Sequence, residues 1–341
     1  MSVRTSRLLG LGVLLLLVVS GTICNFLYGA RSIPAEDVWA ALRDLPATSS
    51  SPEEVPVNQR VVAELRLPRT ILAIIVGAAL GVAGALIQGH TRNPLADPGI
   101  LGISSGAALS VVASYALLDI SAPWATAVVA FLGAIAATAL VFGLASAGRA
   151  TVNPLTLVLG GAALSAVLSA ITSAFVLTSE NNLDRMRFWT VGSLAGRDMN
   201  IALSVLPFVV LGLILAFATG PQLNILNLGD DVAAGLGINT AAARLGGMGI
   251  IALLAGAATA AAGPLGFIGL VVPHIVRALT GPDYKWILPY SALAGAALLL
   301  YADVVGRLIA RPGELQVGIV LAFVGAPFFI VLIYRKKVAT L

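Results

Sequence analysis

RTILAIIVGAALGVAGALIQG, residues 69–89, is apolar over nearly its whole length and contains no acidic residue. A helix of this many residues is about 30 Å long, which matches the hydrocarbon core of a lipid bilayer. Such a helix satisfies its own backbone hydrogen bonds and can present aliphatic side chains to lipid. The stretch therefore predicts a membrane-spanning helix.

Apolar stretches of this kind recur along the whole chain, separated by short polar turns. The ten predicted spans cover residues 8–28, 69–89, 99–118, 123–147, 154–178, 200–219, 245–262, 265–281, 286–306 and 316–334. Because Pro273, His274 and Arg277 interrupt the eighth, we expect it to be short, broken or partly re-entrant. The pattern predicts an all-α membrane protein with about ten transmembrane helices, forming a single domain over residues 1–341 with a long outer loop at about 30–60.

The composition supports this fold class and excludes an ordinary soluble domain. The chain is 58% hydrophobic and only 11% charged, whereas soluble domains carry roughly 25% charged residues. One cysteine and two histidines in 341 residues give no internal disulfide and no convincing metal site. No metal is therefore expected.

The distribution of cations bears on orientation. An even number of spans puts both termini on one side of the membrane. If that side is the cytoplasm, ten of the 20 cations lie inside and ten outside, so the count alone does not fix the orientation. The preference for cytoplasmic termini rests on Arg4 and Arg7 before the first span and on the basic cluster at 335–337. Every outer cation is then an arginine, which binds carboxylates bidentately. An acidic partner outside would explain these arginines, but from charge alone compensation by the many outer acids, such as Glu53, Glu54 and Glu64, is the favoured explanation.

Short internal matches suggest a repeat. GAALGVAGAL from Gly77 recurs as GAATAAAGPL from Gly256, and GAALSVV from Gly106 as GAALLLY from Gly295. We interpret both pairs as lying five spans apart. Because five is an odd number, the two helices of a pair would cross the membrane in opposite directions. The chain would then consist of two five-helix halves with inverted topology, as in many transporters. Chance matches between Gly/Ala-rich spans explain the pairs equally well. The glycines themselves, such as Gly77 and Gly81, predict close helix contacts.

The spans and turns also indicate where the energy for transport comes from. No carboxylate or lysine is assigned to the middle of a span, which disfavours an ion-coupled secondary carrier with inverted repeats. No lysine lies in a phosphate-binding loop, so a separate protein must hydrolyse any ATP. Gly102–Gly106 fits the pattern of a nucleophile elbow, but it opens an apolar helix instead of following a strand. The chain is therefore predicted to be non-catalytic.

The polar loop after the sixth span is the most informative of the turns. Asp230 can cap a short helix, Gly235 or Gly237 can end it, and Asn239 can cap the next. This pattern predicts two short helices at the membrane surface. Their apolar residues could fill a groove on a partner, and an ordinary interfacial connection is the equal alternative. These apolar residues are Val232, Leu236 and Ile238.

Several motifs in register resemble the permease subunits of iron-siderophore, haem and vitamin B12 ABC importers. The resemblance runs from about residue 60 to the C-terminus. It is carried by LRLPR at 65–69, Gln88, NPLADPGILG at 93–102, LGDDVAAGLG at 228–237, GPLGFIGLVVPH at 263–274, Ala302 and Asp303 with Arg307, and GAPFF at 325–329.

This resemblance implies a type II ABC importer permease, a multi-pass protein of the cytoplasmic (inner) membrane. Its implied partners are a second permease subunit, identical or different, cytoplasmic ATP-binding-cassette ATPases and an extracytoplasmic substrate-binding protein. No nucleic acid is expected. The chain itself would hold no cofactor, because ATP and magnesium would be bound by the partner ATPases. The implied cargo is an iron chelate, a ferric siderophore foremost, with haem or cobalamin as alternatives.

The resemblance also implies site residues. A cytoplasmic loop at about 220–243 would couple to the ATPase, arginines of the outer surface would receive acidic residues of the binding protein, and the turn after the fourth span would form a cytoplasmic gate. The coupling residues are Leu228, Gly229, Asp230, Asp231, Ala234, Leu236 and Gly237. The docking arginines are Arg66, Arg69 and Arg307, and the gate is Thr151, Val152 and Asn153.

Overall fold

The structure is a computed structural model that describes residues 3–44, 55–120, 122–146 and 154–334. Helices make up its regular structure, and no strand occurs in these ranges. The prediction of an all-α protein is confirmed. The gate residues Thr151, Val152 and Asn153 lie outside the described residues, as does part of the outer loop.

The helices follow the predicted order of spans. They are α1 Val3–Leu27, α2 Ala35–Arg43, α3 Val57–Val61, α4 Leu67–Thr91, α5 Ile103–Leu118, α6 Pro123–Ser146, α7 Pro154–Leu177, α8 Glu180–Val191, α9 Met199–Leu226, α10 Asp230–Gly235, α11 Thr240–Ala262, α12 Ile268–Thr280, α13 Tyr284–Ile309 and α14 Val317–Tyr334. In the described part of the chain, seven apolar segments are long enough to cross a membrane: α1, α3 with α4, α6, α7, α9, α11 and α13. The shorter apolar helices α5, α12 and α14 lie where the other three spans are predicted. The number of ten spans stays a prediction.

Helix α4 forms the centre of the bundle and is buried along almost its whole length. Glycines allow it to approach α13. A Cβ atom added to Gly77 would lie 2.4 Å from the carbonyl oxygen of Gly295, and one added to Gly81 would lie 2.2 Å from that of Ser291. The predicted contact through small residues is therefore confirmed, and it is the kind of packing that a bilayer favours, because lipid supplies no hydrophobic force between helices.

The start of α4 has a distinctive geometry. A π-helical turn over Val62–Arg66 joins α3 to α4 in one continuous 35-residue helix. Pro68 follows directly, and proline has no N–H to donate to the ordinary helical ladder. Single π-helical turns are frequent at functional sites. Arg66 is the last residue of this turn, and Arg69 lies three residues further along the chain.

Charged side chains gather at the two ends of the bundle. At one end Arg69, near the start of α4, contacts Asp303 near the end of α13. At the other end Arg92, just after α4, contacts Asp230 of α10. We call these the arginine end and the loop end.

Only one of the two sequence matches fits inverted halves. Helix α4 runs from the arginine end to the loop end, and α11 runs the opposite way, so the match between Gly77 and Gly256 joins antiparallel helices. The interpretation of the Gly106 and Gly295 match as an inverted pair is wrong. The match joins α5 and α13, the third and ninth spans in chain order, which both run towards the arginine end.

The connection from α4 to α5 enters the bundle instead of remaining at its surface. Asp97 lies with Leu80, near the middle of α4, and with Thr259 around a cavity of about 20 Å³. One oxygen of the Asp97 carboxylate accepts a hydrogen bond of 2.8 Å from the N–H of Gly99. Asp97 lies between two predicted spans, so the sequence pattern did not indicate that its carboxylate faces the interior of the bundle.

The eighth predicted span is short, as expected from its sequence. Helix α12 has 13 residues and contains Pro273. The chain before it, from Gly263 to Phe267, is not helical, and both of these residues have positive φ values, 74° and 69°. The Gln88 side chain of α4 donates hydrogen bonds to the carbonyl oxygens of Gly269 and Leu270 at 3.2 and 3.3 Å. Pro273 has no N–H for the carbonyl oxygen of Gly269, so Gln88 supplies a donor to this buried backbone group.

Candidate functional site

The connection between α9 and α11 contains the predicted coupling residues. Gly229 has a φ of 123° and Gly237 a φ of 82°, a region that side chains rarely tolerate. These two glycines turn the chain into and out of the six-residue helix α10. Asn239 caps α11, because its side-chain oxygen accepts a hydrogen bond of 3.0 Å from the N–H of Ala242. The predicted cap at Asn239 is confirmed.

Two details of this connection differ from the sequence prediction. Asp230 does not cap α10: it is the first helical residue, and Gly229 occupies the cap position without a side-chain bond. The connection contains one short helix, because the helix after Asn239 is the 23-residue α11. Continuous apolar sequence from Gly246 onwards explains the long helix.

Asp230 anchors α10 to the bundle instead of capping it. Its carboxylate accepts from Arg92 at 2.5 Å and from Arg244 at 2.8 Å. Arg92 also donates to the carbonyl oxygen of Leu226, and Arg244 to that of His90. Although burial acts to raise it, the pKa of Asp230 is lowered by the hydrogen bond and charge of Arg244 and by Arg92. The carboxylate is thus held ionised beside two arginines.

Apolar side chains project from this anchored segment. Leu228, Val232 and Leu236 are 66%, 48% and 61% exposed, while Ala233 of the same short helix is fully buried. Ile238 packs partly against the core and does not join them. We call Leu228, Val232 and Leu236 the apolar knob. An exposed apolar cluster held on a rigid base suits insertion into a groove on a partner.

At the arginine end, buried charges form a network around Asp303. Arg69 donates to both carboxylate oxygens of Asp303 at 2.8–2.9 Å, and Arg307 lies 3.0 Å from the same carboxylate. Arg69 also pairs with Glu314 at 2.6 Å. The side chain of Asn25, on α1, lies 3.5 Å from Asp303 and completes the network. Buried charges are tolerated when they are paired in this way.

The third predicted docking residue is held by backbone groups. Arg66 donates to the carbonyl oxygens of Phe26, Leu27 and Arg31. Arg66, Arg69 and Arg307 are only 4%, 7% and 2% exposed. The fold brings the three arginines together at one end, and their contacts are internal. Their role in docking stays a prediction.

Two adjoining cavities open at this end. The larger, of about 470 Å³, is lined by Arg69, Arg185, Arg197 and Glu314 among others. The smaller, of about 310 Å³, shares Arg69, Ala195 and Glu314 with it and adds Arg31, Arg66 and Arg307. We call the larger one the arginine cavity. Sequence reasoning assigned no role to Arg185, Arg197 or Glu314, and the only signal was that every outer cation is an arginine.

These features define a polytopic transport permease. Membrane-length helices surround a buried central helix, the apolar knob is exposed at one end, and arginine-lined cavities open at the other. The profile of the FecCD transport family matches residues 14–335. The chain belongs to this family and is the permease component of an ABC importer, as the sequence motifs predicted.

Similar proteins span almost the whole chain. The ferric enterobactin transport system permease protein FepD of Escherichia coli K12 is 42% identical over 335 residues, covering 98% of each chain. The Fe(3+)-citrate import system permease protein YfmD of Bacillus subtilis 168 is 43% identical over 333 residues, covering 98% of this chain and 96% of YfmD. A solved metal-chelate type ABC transporter in an inward-facing conformation is similar with a TM-score of 0.82 and 30% identity, covering 95% of this chain and 98% of its own.

Proposed function

We propose that this permease imports ferric siderophores across the cytoplasmic membrane, driven by ATP hydrolysis in separate ATPase subunits that bind ATP and magnesium. The observation that carries the proposal is end-to-end similarity to permeases named for ferric enterobactin and ferric citrate. Substrate would arrive from an extracytoplasmic binding protein. A second permease subunit, identical or different, would complete the path.

The proposed orientation puts both termini and the loop end in the cytoplasm. Arg7, near the N-terminus, donates to the carbonyl oxygen of Thr280 at 2.7 Å and lies over the Trp286 ring. Asp283, in the same turn, accepts a hydrogen bond of 2.7 Å from Asn224 near the end of α9, so the N-terminus shares an end with α10. The arginine end then faces outward, consistent with the all-arginine outer surface expected from the sequence.

The apolar knob is the proposed contact with the ATPase. Asp230 ties it to Arg92 after α4 and to Arg244 on α11, so a force applied to the knob reaches two long helices through short, charge-assisted bonds. ATP-driven closure of the ATPases would then move α4 and α11 and reorient the path. The knob together with Gly229, Asp230, Asp231, Ala234 and Gly237 forms the proposed coupling surface.

Docking of the binding protein would occur at the arginine end, through Arg66, Arg69 and Arg307. These side chains are buried, so a docking carboxylate would have to exchange with internal partners such as Glu314, which is 34% exposed and is the more accessible acid on Arg69. A charge swap tests direct contact. Arg307→Glu should weaken docking, and an acid-to-arginine change in the binding protein should restore it. Misfolding would not be rescued in this way.

Transport itself is tested with purified components. Proteoliposomes containing this permease, its ATPase and its binding protein should accumulate a radioactive ferric siderophore when ATP is enclosed with the ATPase. Accumulation that needs no ATP and collapses with an ion gradient would identify a secondary carrier and refute the proposal. Uptake of haem or cobalamin in place of the ferric siderophore would reassign the cargo within the same family.

A further inference from the structure

The arginine cavity has an unusual charge balance. It lies between the end of α5, helix α8 and the chain before α14, and three arginines line it against one carboxylate, that of Glu314. Its volume of about 470 Å³ falls in the range of roughly 300–1,000 Å³ that is usual for small-molecule sites. The cavity is concave, positive and accessible from the arginine end.

Its three arginines differ in how far their charge is compensated. Arg69 is paired with Asp303 and Glu314. Arg185 stands 3.8 Å from Asp119, whose side chain is 93% exposed, and its guanidinium lies over the Tyr115 ring. Arg197 makes no ion pair with any residue that the structure describes. Burial lowers the pKa of Arg197, with Tyr115 and Asp198 acting the other way.

Uncompensated positive charge inside a cavity attracts an anion. Taking a cation out of water is costly unless a partner of opposite charge is close. Arg197 therefore has donors to spare, and Arg185, which is 41% exposed and 3.8 Å from Asp119, is free to turn to a ligand. Arg forks suit carboxylate or catecholate oxygens. A bound anion would supply the partner that the chain itself does not.

Aromatic side chains complete the cavity. Tyr115, Phe188 and Trp189 line it beside the arginines. Trp189 is 5% exposed, and its indole N–H has no hydrogen-bond partner among the described residues. Buried indole N–H groups usually find a partner. Guanidinium groups next to aromatic faces form a surface for anionic ligands that carry flat rings, such as catecholates.

We propose that the arginine cavity is a selectivity site for anionic iron chelates, in which Arg197 and Arg185 bind the negative ligand shell of the chelate as it leaves the binding protein. This inference rests on the proposed function and narrows the substrate class to chelates with net negative charge. Neutral chelates gain nothing from these two arginines.

Direct binding tests the site without the binding protein. The complete permease–ATPase complex is placed in nanodiscs and titrated with two radioactive probes, a trianionic ferric tricatecholate and a neutral ferric trihydroxamate. Loss of one charge-assisted hydrogen bond corresponds to roughly a ten-fold or greater loss of affinity. Arg197→Gln and Arg185→Gln should each weaken tricatecholate binding by about that factor, while Arg197→Lys, which keeps the charge but not the bidentate fork, should weaken it less than Arg197→Gln. Binding of the neutral probe should not change.

A matched control comes from the same helix as Arg185. Arg187 is 62% exposed, pairs with Asp184 and does not line the cavity. Arg187→Gln removes the same charge and should leave tricatecholate binding unchanged. Size-exclusion chromatography of the complex verifies that each variant assembles.

The possible outcomes separate this inference from the proposed function. No measurable tricatecholate binding by the wild-type complex, unchanged binding in Arg197→Gln, or equal losses in Arg197→Gln and Arg187→Gln would overturn the site. The site would also be overturned if the arginine variants lost only docking of the binding protein and kept tricatecholate binding. The cavity would then bind a carboxylate of the binding protein. In all these cases ATP-driven ferric siderophore uptake would still stand. Failure of the wild-type complex to import any ferric chelate would refute the proposed function itself.

Discussion

Arg69 and Asp303, 234 residues apart in the chain, form a buried ion pair in which the guanidinium donates three hydrogen bonds of 2.8–2.9 Å to the carboxylate. The pair joins the start of α4 to the end of α13, the two helices that pack through Gly77 and Gly81. Arg307, one helical turn after Asp303, binds the same carboxylate. Asp303 is thus shared by two buried arginines, of which Arg69 also pairs with the partly exposed Glu314.

Asp303→Asn should strongly destabilise the protein. The change keeps the size of the side chain but leaves Arg69 and Arg307 without their shared anion, and breaking a buried pair costs about 3–5 kcal/mol. Thermal unfolding of the detergent-solubilised protein measures the loss. Glu314→Gln is the control, since Glu314 is 34% exposed and partly exposed pairs contribute about 1 kcal/mol or less. Equal stability losses in the two variants would contradict the assigned role of Asp303.

Features of the fold that depend on a local sequence pattern could be predicted from the sequence. Hydropathy located the apolar helices, Pro273 marked the short α12, and glycine spacing identified the contact face of α4. Each of these follows from residues within a few helical turns of one another. The motif resemblance, which spans most of the chain, supplied the class of protein.

Features that depend on distant residues were beyond the sequence. Asp230 was interpreted as a cap because its anchoring partner Arg92 is 138 residues away and only the folded bundle brings them together. Asp97 was left between two predicted spans, because hydropathy does not show that a polar connection enters the bundle. The cavity around Arg197 is assembled from α4, α5, α8, the chain between α8 and α9 and the chain before α14, so no single motif could indicate it.

Gly81→Ala should destabilise the bundle even though alanine is the better helix former. The added Cβ atom would lie 2.2 Å from the backbone oxygen of Ser291, and backbone cannot move aside as a flexible side chain can. Overpacking of this kind costs about 1–3 kcal/mol. Thermal unfolding again provides the measurement.

Gly12→Ala is the matched control for that substitution. Gly12 lies in α1, and a Cβ atom there would meet nothing within 4 Å. Alanine should therefore be neutral, or stabilising by up to about 1 kcal/mol through helix propensity. A destabilisation similar to that of Gly81→Ala would show that the close contact between α4 and α13 is not the cause.

Val232→Asp should weaken assembly with the ATPase by about tenfold or more, because it places a carboxylate in the apolar knob and central interface positions often contribute at least 2 kcal/mol. Titration of the detergent-solubilised permease with purified ATPase measures the change. Val57→Asp is the control: Val57 is 58% exposed, similar to Val232 at 48%, but lies in α3 at the arginine end. If both variants bind the ATPase as the wild type does, the knob is not the coupling contact.

Asp230→Asn should uncouple ATP hydrolysis from transport while leaving docking of the binding protein intact. Without the charge, Arg92 and Arg244 lose their shared acceptor and α10 is held less firmly, so siderophore uptake per ATP hydrolysed should fall severalfold. Asp184→Asn is the control, because it also removes a carboxylate from an ion pair with an arginine, Arg187, but at exposed positions of helix α8, outside the proposed coupling surface. An equal effect of the two substitutions would argue against anchoring.

The pH dependence of this anchor follows from the sign of the pKa shift. The pKa of Asp230 lies below its ordinary value of 3.8, because Arg244 and Arg92 outweigh the opposing effect of burial. A carboxylate with a lowered pKa contributes its stabilisation above that ordinary value and loses it only as pH falls through the lower, folded-state pKa. Hydrogen–deuterium exchange at residues 228–237, corrected for intrinsic rates, should therefore show constant protection from about pH 8 to about pH 5. Loss of protection already near neutral pH would mean that a group other than Asp230 holds α10 in place.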